Sequence, residues 1–307
     1  MNRARAALFS ALFKASNPWL LLAGLLLYAV GGGIASYLGE PIDWPVYWMG
    51  QAALLLLLLS ASFLREYFDR TGQPPFETGP RRPPPENGDE PLPPPPRGIF
   101  IQVAATTLTA GAVLTVLLLA EGSLGPGGIL FIGIALLMAL LYAVPPFRMV
   151  DRGYGELVIS VLLANLFPAL AFLLQTGQLH RLLAMLTFPL TFLFLASILA
   201  HSLPNYLEDV RRDRRTMLAR LGWQRGMSLH NLFIVLAYLL LAASVLLGLP
   251  WRLAYPAFLA LPVGLFQIWQ INTIASGAPP RWRLLLVTAI ATVGLTAYFM
   301  LLALWTV

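Results

Sequence analysis

The chain alternates long apolar runs with short polar breaks. Nine runs approach the ~20 residues that an α-helix needs to cross ~30 Å of hydrocarbon: Trp19–Tyr37, Val46–Leu64, Ile99–Leu119, Ile129–Val144, Leu157–Leu174, Leu182–Leu203, Leu229–Leu249, Ala254–Ile274 and Leu284–Val307. Backbone groups in lipid must be satisfied internally, which leaves helices or closed barrels, and continuous runs of this length are helices rather than short alternating strands. The expected fold class is all-α, a polytopic bundle of nine transmembrane helices forming a single membrane domain over residues 1–307. Met1–Asn17 is basic and partly apolar but leads directly into a full-length span with no small-residue cleavage site, so it reads as an interfacial lead-in and not a signal peptide.

Composition agrees: 58% hydrophobic, 11% charged and a mean hydropathy of +0.73 lie outside the range of a water-soluble domain. The formal charge of +6 is topological. Of the 20 bases, 18 fall at the N-terminus or in the loops after spans two, four, six and eight, leaving Arg181 and Arg252 opposite. The positive-inside rule therefore puts those segments in the cytoplasm, with the C-terminus outside and the cell (inner) membrane as the expected location. Eleven of the 14 acids share that side, so polar chemistry is expected on the cytoplasmic rim. Basic clusters explained by topology argue no nucleic-acid partner. The absence of cysteine excludes disulfides, thiolate metal sites and a cysteine nucleophile, and His180, His201 and His230 lack metal-ligand spacing.

Four segments carry candidate chemistry. Pro74–Pro96 has 11 prolines in 23 residues and reads as a cytoplasmic loop, either an extended tether or a P-x-x-P partner ligand. The second span continues as REYFDRTGQ, placing Glu66, Asp69 and Gln73 at i, i+3 and i+7 of a continuing helix. The sixth ends in HSLPNYLEDVRRDRR, with Asn205 and Asp209 at i, i+4, Glu208 beside them and Arg211, Arg212, Arg214 and Arg215 following. Between spans four and five, YAVPPFRMVDRGYGELVIS makes a basic turn presenting Arg148 and Arg152. Two facing carboxylate sets are suited to Mg2+ carrying a diphosphate, with neighbouring arginines on the phosphates; ordinary solvated helix ends are the alternative. The acidic ends lie four spans apart, which suggests a duplicated four-helix unit.

Together these motifs resemble the UbiA superfamily of intramembrane prenyltransferases, from about Lys14 through the seventh span. YAVPPFRMVDRGYGELV is similar to that family's Tyr-Ser-x-Pro-Pro-x-Arg-Leu-x-x-Arg-Gly-x-Gly-Glu stretch. RRTMLARLG, Arg214 to Gly222, is similar to its Lys/Arg-Arg-Thr-Leu-x-x-Arg-Leu-Gly stretch, and Glu90-Pro-Leu-Pro93 to its Arg-Pro-Leu-Pro element. The departures bear on function. The first acidic motif, Asn-Asp-x-x-Asp-x-x-x-Asp in the family, stands here as Arg65-Glu66-x-x-Asp69-x-x-x-Gln73, and the second, Asp-x-x-x-Asp, as Asn205-x-x-x-Asp209.

The resemblance implies a Mg2+-dependent prenyltransferase that ionises a polyprenyl or geranylgeranyl diphosphate and alkylates a hydrophobic acceptor held in the lipid bilayer, with quinone biosynthesis the commonest role. Asp69 and Asp209 are then catalytic. Glu66, Asp69, Asn205, Glu208 and Asp209 hold metal, weakly or as one ion instead of two. Arg65, Arg148, Arg152 and Arg215 bind diphosphate, Arg65 standing in for a second metal ion. Tyr67, Phe68, Tyr142 and Phe147 line the chamber for the prenyl chain and its carbocation. The acceptor can be a quinone-ring precursor, a chlorin, haem, or a glycerol or sugar phosphate lipid. A catalytically silent relative that binds isoprenoid lipid is the competing expectation; a transporter is less well supported, because charged residues are missing at mid-membrane depth.

Overall fold

In a computed structural model of the protein, residues 2–69, 96–211 and 214–306 are described. Gln73, Arg212, the Glu90–Pro93 element and all of the proline-rich segment up to residue 95 lie outside the described residues. A helix over Asn2–Ala15 (α1) precedes Pro18–Tyr37 (α2), Trp44–Phe68 (α3), Arg97–Ala120 (α4) and Pro126–Ala143 (α5). The fifth span is built from Gly155–Val161 (α6), a π-turn at Leu162–Leu166 and Phe167–Thr176 (α7); Arg181–Ser202 (α8) follows. Two short helices at the rim, Tyr206–Arg211 (α9) and Met217–Leu221 (α10), lead to Trp223–Leu246 (α11), Trp251–Phe258 (α12), Leu261–Ala275 (α13) and Trp282–Trp305 (α14). Among the described residues nine helical segments are long and apolar enough to cross a membrane, and there is no strand. The all-α expectation holds, and each span lies within a few residues of its apolar run.

The bundle sorts by burial. The α6–α7 and α8 spans are the most enclosed, followed by α2 and α3, whereas α4 and α5 turn most of their surface outward. Exposed Val113, Val116, Leu130 and Leu137 on those outer helices are the apolar face expected against lipid. Close packing inside depends on small residues. A Cβ on Gly31 would lie 2.0 Å from the Pro168 carbonyl oxygen, so only glycine lets α2 approach α7 this closely. Several polar groups pair within the bundle: Asn165, on the π-turn, donates to Thr191 Oγ1 (2.6 Å) and accepts from Thr187 (3.0 Å). His230 meets Gln267 at 2.9 Å, and Gln267 accepts from Thr292 at 3.0 Å, joining α11, α13 and α14.

What positions the site is how three helices end on one rim. The helix α3 stops at Phe68, and Asp69 caps it in an extended conformation (φ −68°, ψ 115°), so the helical face expected to run on towards Gln73 ends there. Arg148 donates to the Phe68 carbonyl, satisfying one of the orphan acceptors at that helix end. Pro204 breaks the sixth span into a 3-10 turn at Leu203–Asn205 before α9, because proline supplies no N–H for the helical ladder.

Candidate active site

Asp69 is the centre of the rim. Its carboxylate is buried, with Oδ2 accepting from Arg214 Nη2 at 2.7 Å and Oδ1 3.6 Å from Arg148 Nη2. Arg148 sits in the left-handed region (φ 35°) and also pairs through Nε with Asp151 Oδ2 at 2.8 Å. The Arg214 main-chain N–H donates to the Asp209 carbonyl at 2.9 Å. One residue thus ties the end of α9 to the end of α3, joining the two acidic motifs of the sequence.

Behind this knot lies Arg65, 1% exposed. It continues the inward stripe of Leu58, Ala61 and Ser62 on α3, which carries its guanidinium into the bundle, 3.7 Å from Glu66. Tyr142, near the end of α5, is also buried. Glu156 opens α6; its Oε1 accepts from the Met217 N–H at 2.9 Å, while its Oε2 is buried and has no hydrogen-bond partner among the described residues. Asn205, Glu208 and Asp209 are all engaged in contacts.

In front of the knot a cleft of ≈ 690 Å³ opens at the rim, lined by Pro145, Pro146, Arg148, Asp151, Arg152, Tyr154, Arg215 and Arg220. Its walls hold each other: Arg152 donates to the Pro146 carbonyl (2.7 Å), Arg220 to the Arg152 carbonyl (2.8 Å), and the Arg220 guanidinium lies 5.0 Å from the centre of the Tyr154 ring. Gly153, at φ 76°, permits this closure, since a Cβ there would meet the Arg220 side chain at 2.5 Å and the Arg215 carbonyl at 3.0 Å. Asp151 is the acid of the cleft. Burial pushes its carboxyl above the usual range, and Arg148 is the chief influence holding it down.

The structure brings Arg148, Arg152 and Arg215 together in the cleft and sets Glu66 and Asp69 behind it, while Arg65 does not line it. Of the four aromatic residues, Tyr142 lies within the bundle. Tyr67 packs with Phe63 and Phe100 beside α1 and α4, Phe68 meets Tyr67 edge-on, and Phe147 is 53% exposed. Sequence reasoning missed Arg220, Asp151 and Glu156, and it set Arg214 among the phosphate-facing arginines, whereas the structure pairs Arg214 with Asp69. Arg220 stands inside the RRTMLARLG stretch and Glu156 closes the YAVPPFRMVDRGYGE stretch, so motif membership was the signal that could have found them.

Among the described residues no three His, Asp or Glu side chains converge as a metal-holding group. The donors that the resemblance assigns to Mg2+ fit a cation poorly as they stand: both oxygens of Asp69 face guanidinium groups, Glu66 faces Arg65, and two of the motif positions carry Arg65 and Asn205.

No family model matches the chain. Over 165 residues it is 23% identical to the 1,4-dihydroxy-2-naphthoate octaprenyltransferase of Bacillus subtilis (strain 168), a match covering 53% of this chain and 52% of that protein. The chain thus spans about half the length of the curated relative it matches. Its fold is similar to that of a UbiA homolog from Archaeoglobus fulgidus bound to Cd2+, with a TM-score of 0.64 and 14% identity over 96% of this chain and 99% of that one. A structure of a UbiA homolog from Archaeoglobus fulgidus bound to GPP and Mg2+ matches with the same score and identity, over 97% and 100%.

Proposed function

We propose, from the premise that the chain carries the fold of the UbiA superfamily, that it is an intramembrane prenyltransferase whose rim cleft binds the diphosphate of an isoprenoid donor. The observation that carries this reading is the cleft itself: four arginines and one carboxylate over the mouth of an apolar bundle. Guanidinium forks suit phosphate oxygens, and anchoring them on backbone carbonyls fixes them before the anion arrives. In the reaction, the allylic C–O bond of the donor breaks with its electron pair leaving on the diphosphate, where the arginines stabilise the developing charge. The carbocation takes an electron pair from an acceptor carbon, and the acceptor then releases a proton. The curated relative supports an aromatic quinone-ring precursor as acceptor, and charge asymmetry along the chain supports a cytoplasmic rim.

The test is turnover in nanodiscs supplied with geranyl diphosphate (GPP) and, separately, 1,4-dihydroxy-2-naphthoate or a hydroxybenzoate. Acceptor-dependent diphosphate release, with a product that carries the acceptor ring and one geranyl group, is expected. No release with any acceptor overturns the enzymatic reading. Tight GPP binding without turnover would favour a silent isoprenoid-binding protein, the reading that the arginine-paired carboxylates support.

A further inference from the structure

The rim sorts its charges into two layers. The outer layer, lining the cleft, has Arg148, Arg152, Arg215 and Arg220 against Asp151, a net of +3. A prenyl diphosphate carries about two to three negative charges near neutral pH, since the last ionisation of a phosphate ester lies near pH 6. The inner layer holds carboxylates that the family resemblance assigns to metal, two of them facing guanidinium groups: Asp69 with Arg214 and Arg148, and Glu66 with Arg65; Glu208 and Asp209 are engaged in contacts of their own. A divalent ion at Asp69 would have to displace Arg214 from a 2.7 Å contact in a buried position.

We propose that this protein binds its diphosphate without a divalent metal, the positive charge being built into the chain as guanidinium groups. Asp69 then acts as the anchor that aims Arg148 and Arg214 and not as a metal ligand; Arg148 shares its side chain between that anchor and the cleft. The inference rests on the diphosphate-binding reading above and departs from it only in what neutralises the anion.

The experiment is equilibrium binding of GPP to the purified, full-length protein in excess Mg2+ and in excess EDTA. The inference expects a Kd in EDTA within about threefold of that in Mg2+, or tighter, because free Mg2+ competes for the diphosphate. A larger loss in EDTA overturns it and leaves the diphosphate site standing, whereas no GPP binding in either condition overturns the site reading and this inference with it. A second measurement uses Mn2+ alone, read by electron paramagnetic resonance. Wild type is expected to bind no Mn2+ at micromolar concentrations, and Arg214→Gln, which takes the guanidinium off Asp69 Oδ2, to bind it at least tenfold more tightly. Micromolar Mn2+ binding by wild type contradicts the inference.

Discussion

Replacing Arg214 by methionine keeps most of the apolar volume of the side chain and removes the charge that holds Asp69. The contact is short (2.7 Å) and both side chains are nearly buried, at 6% and 4% exposure. Breaking a buried ion pair by deleting one partner costs about 3–5 kcal/mol, because the survivor remains as an uncompensated charge. Here Arg148 stays 3.6 Å from the other carboxylate oxygen, so the expected cost falls to about 2–3 kcal/mol by the same reasoning. For a chain of this size about 2 °C of melting temperature corresponds to each kcal/mol, which gives a drop of about 4–6 °C. The assay is thermal unfolding of the detergent-purified protein, followed by tryptophan fluorescence, for Arg214→Met, Asp69→Asn and the double variant. In the double variant no unpaired charge is left, so the second substitution should restore part of the stability lost to the first. A melting temperature unchanged in Arg214→Met, or additive losses in the double variant, would refute the claim that this pair organises the rim.

Asp151→Asn should leave stability at neutral pH unchanged or raised. Burial holds the Asp151 carboxyl above its unfolded range, so the folded state favours the protonated form; the contribution of this one group to wild-type stability is fullest at low pH and declines as pH rises through the carboxylate range. Melting curves of both proteins across pH should therefore converge on acidification, and a marked loss in the variant at neutral pH would mean that the pair with Arg148 dominates. Gly31→Ala puts a methyl group 2.0 Å from the Pro168 carbonyl oxygen and should cost about 1–3 kcal/mol, the usual range for overpacking, seen as a lower melting temperature. Gln267→Leu removes the group that meets the buried His230 Nε2, while Thr292 keeps its bond to the Thr288 carbonyl, and should cost about 1–3 kcal/mol by the same thermal assay.

The spans were legible because an apolar run of bilayer length has almost no other reading, and the helices begin or end beyond the runs where caps decide: Asp43 accepts from the Val46 N–H and starts α3 ahead of Val46. The site was legible as a neighbourhood but not as a geometry. Helical periodicity could place Glu66 and Asp69 together, yet it projected the helix past Phe68, where Asp69 turns the chain and Arg148 caps it from another loop. It had nothing to say about Arg214 against Arg215, since both follow the end of α9, where side-chain direction no longer follows a fixed period; one is buried on Asp69 and the other lines the cleft. The arginine partners of the acidic motifs come from sequence separations of 79 and 145 residues, which no local pattern encodes.

The central claim is that the arginine cleft receives the diphosphate, and chemical protection reads it at those side chains. The purified protein would be treated with phenylglyoxal with and without saturating GPP, and modified arginines mapped by mass spectrometry. The account predicts that GPP shields Arg152, Arg215 and Arg220 while Arg225, Arg281 and Arg283 react as before. Equal modification of all six in the presence of GPP, or shielding confined to the second group, would contradict it.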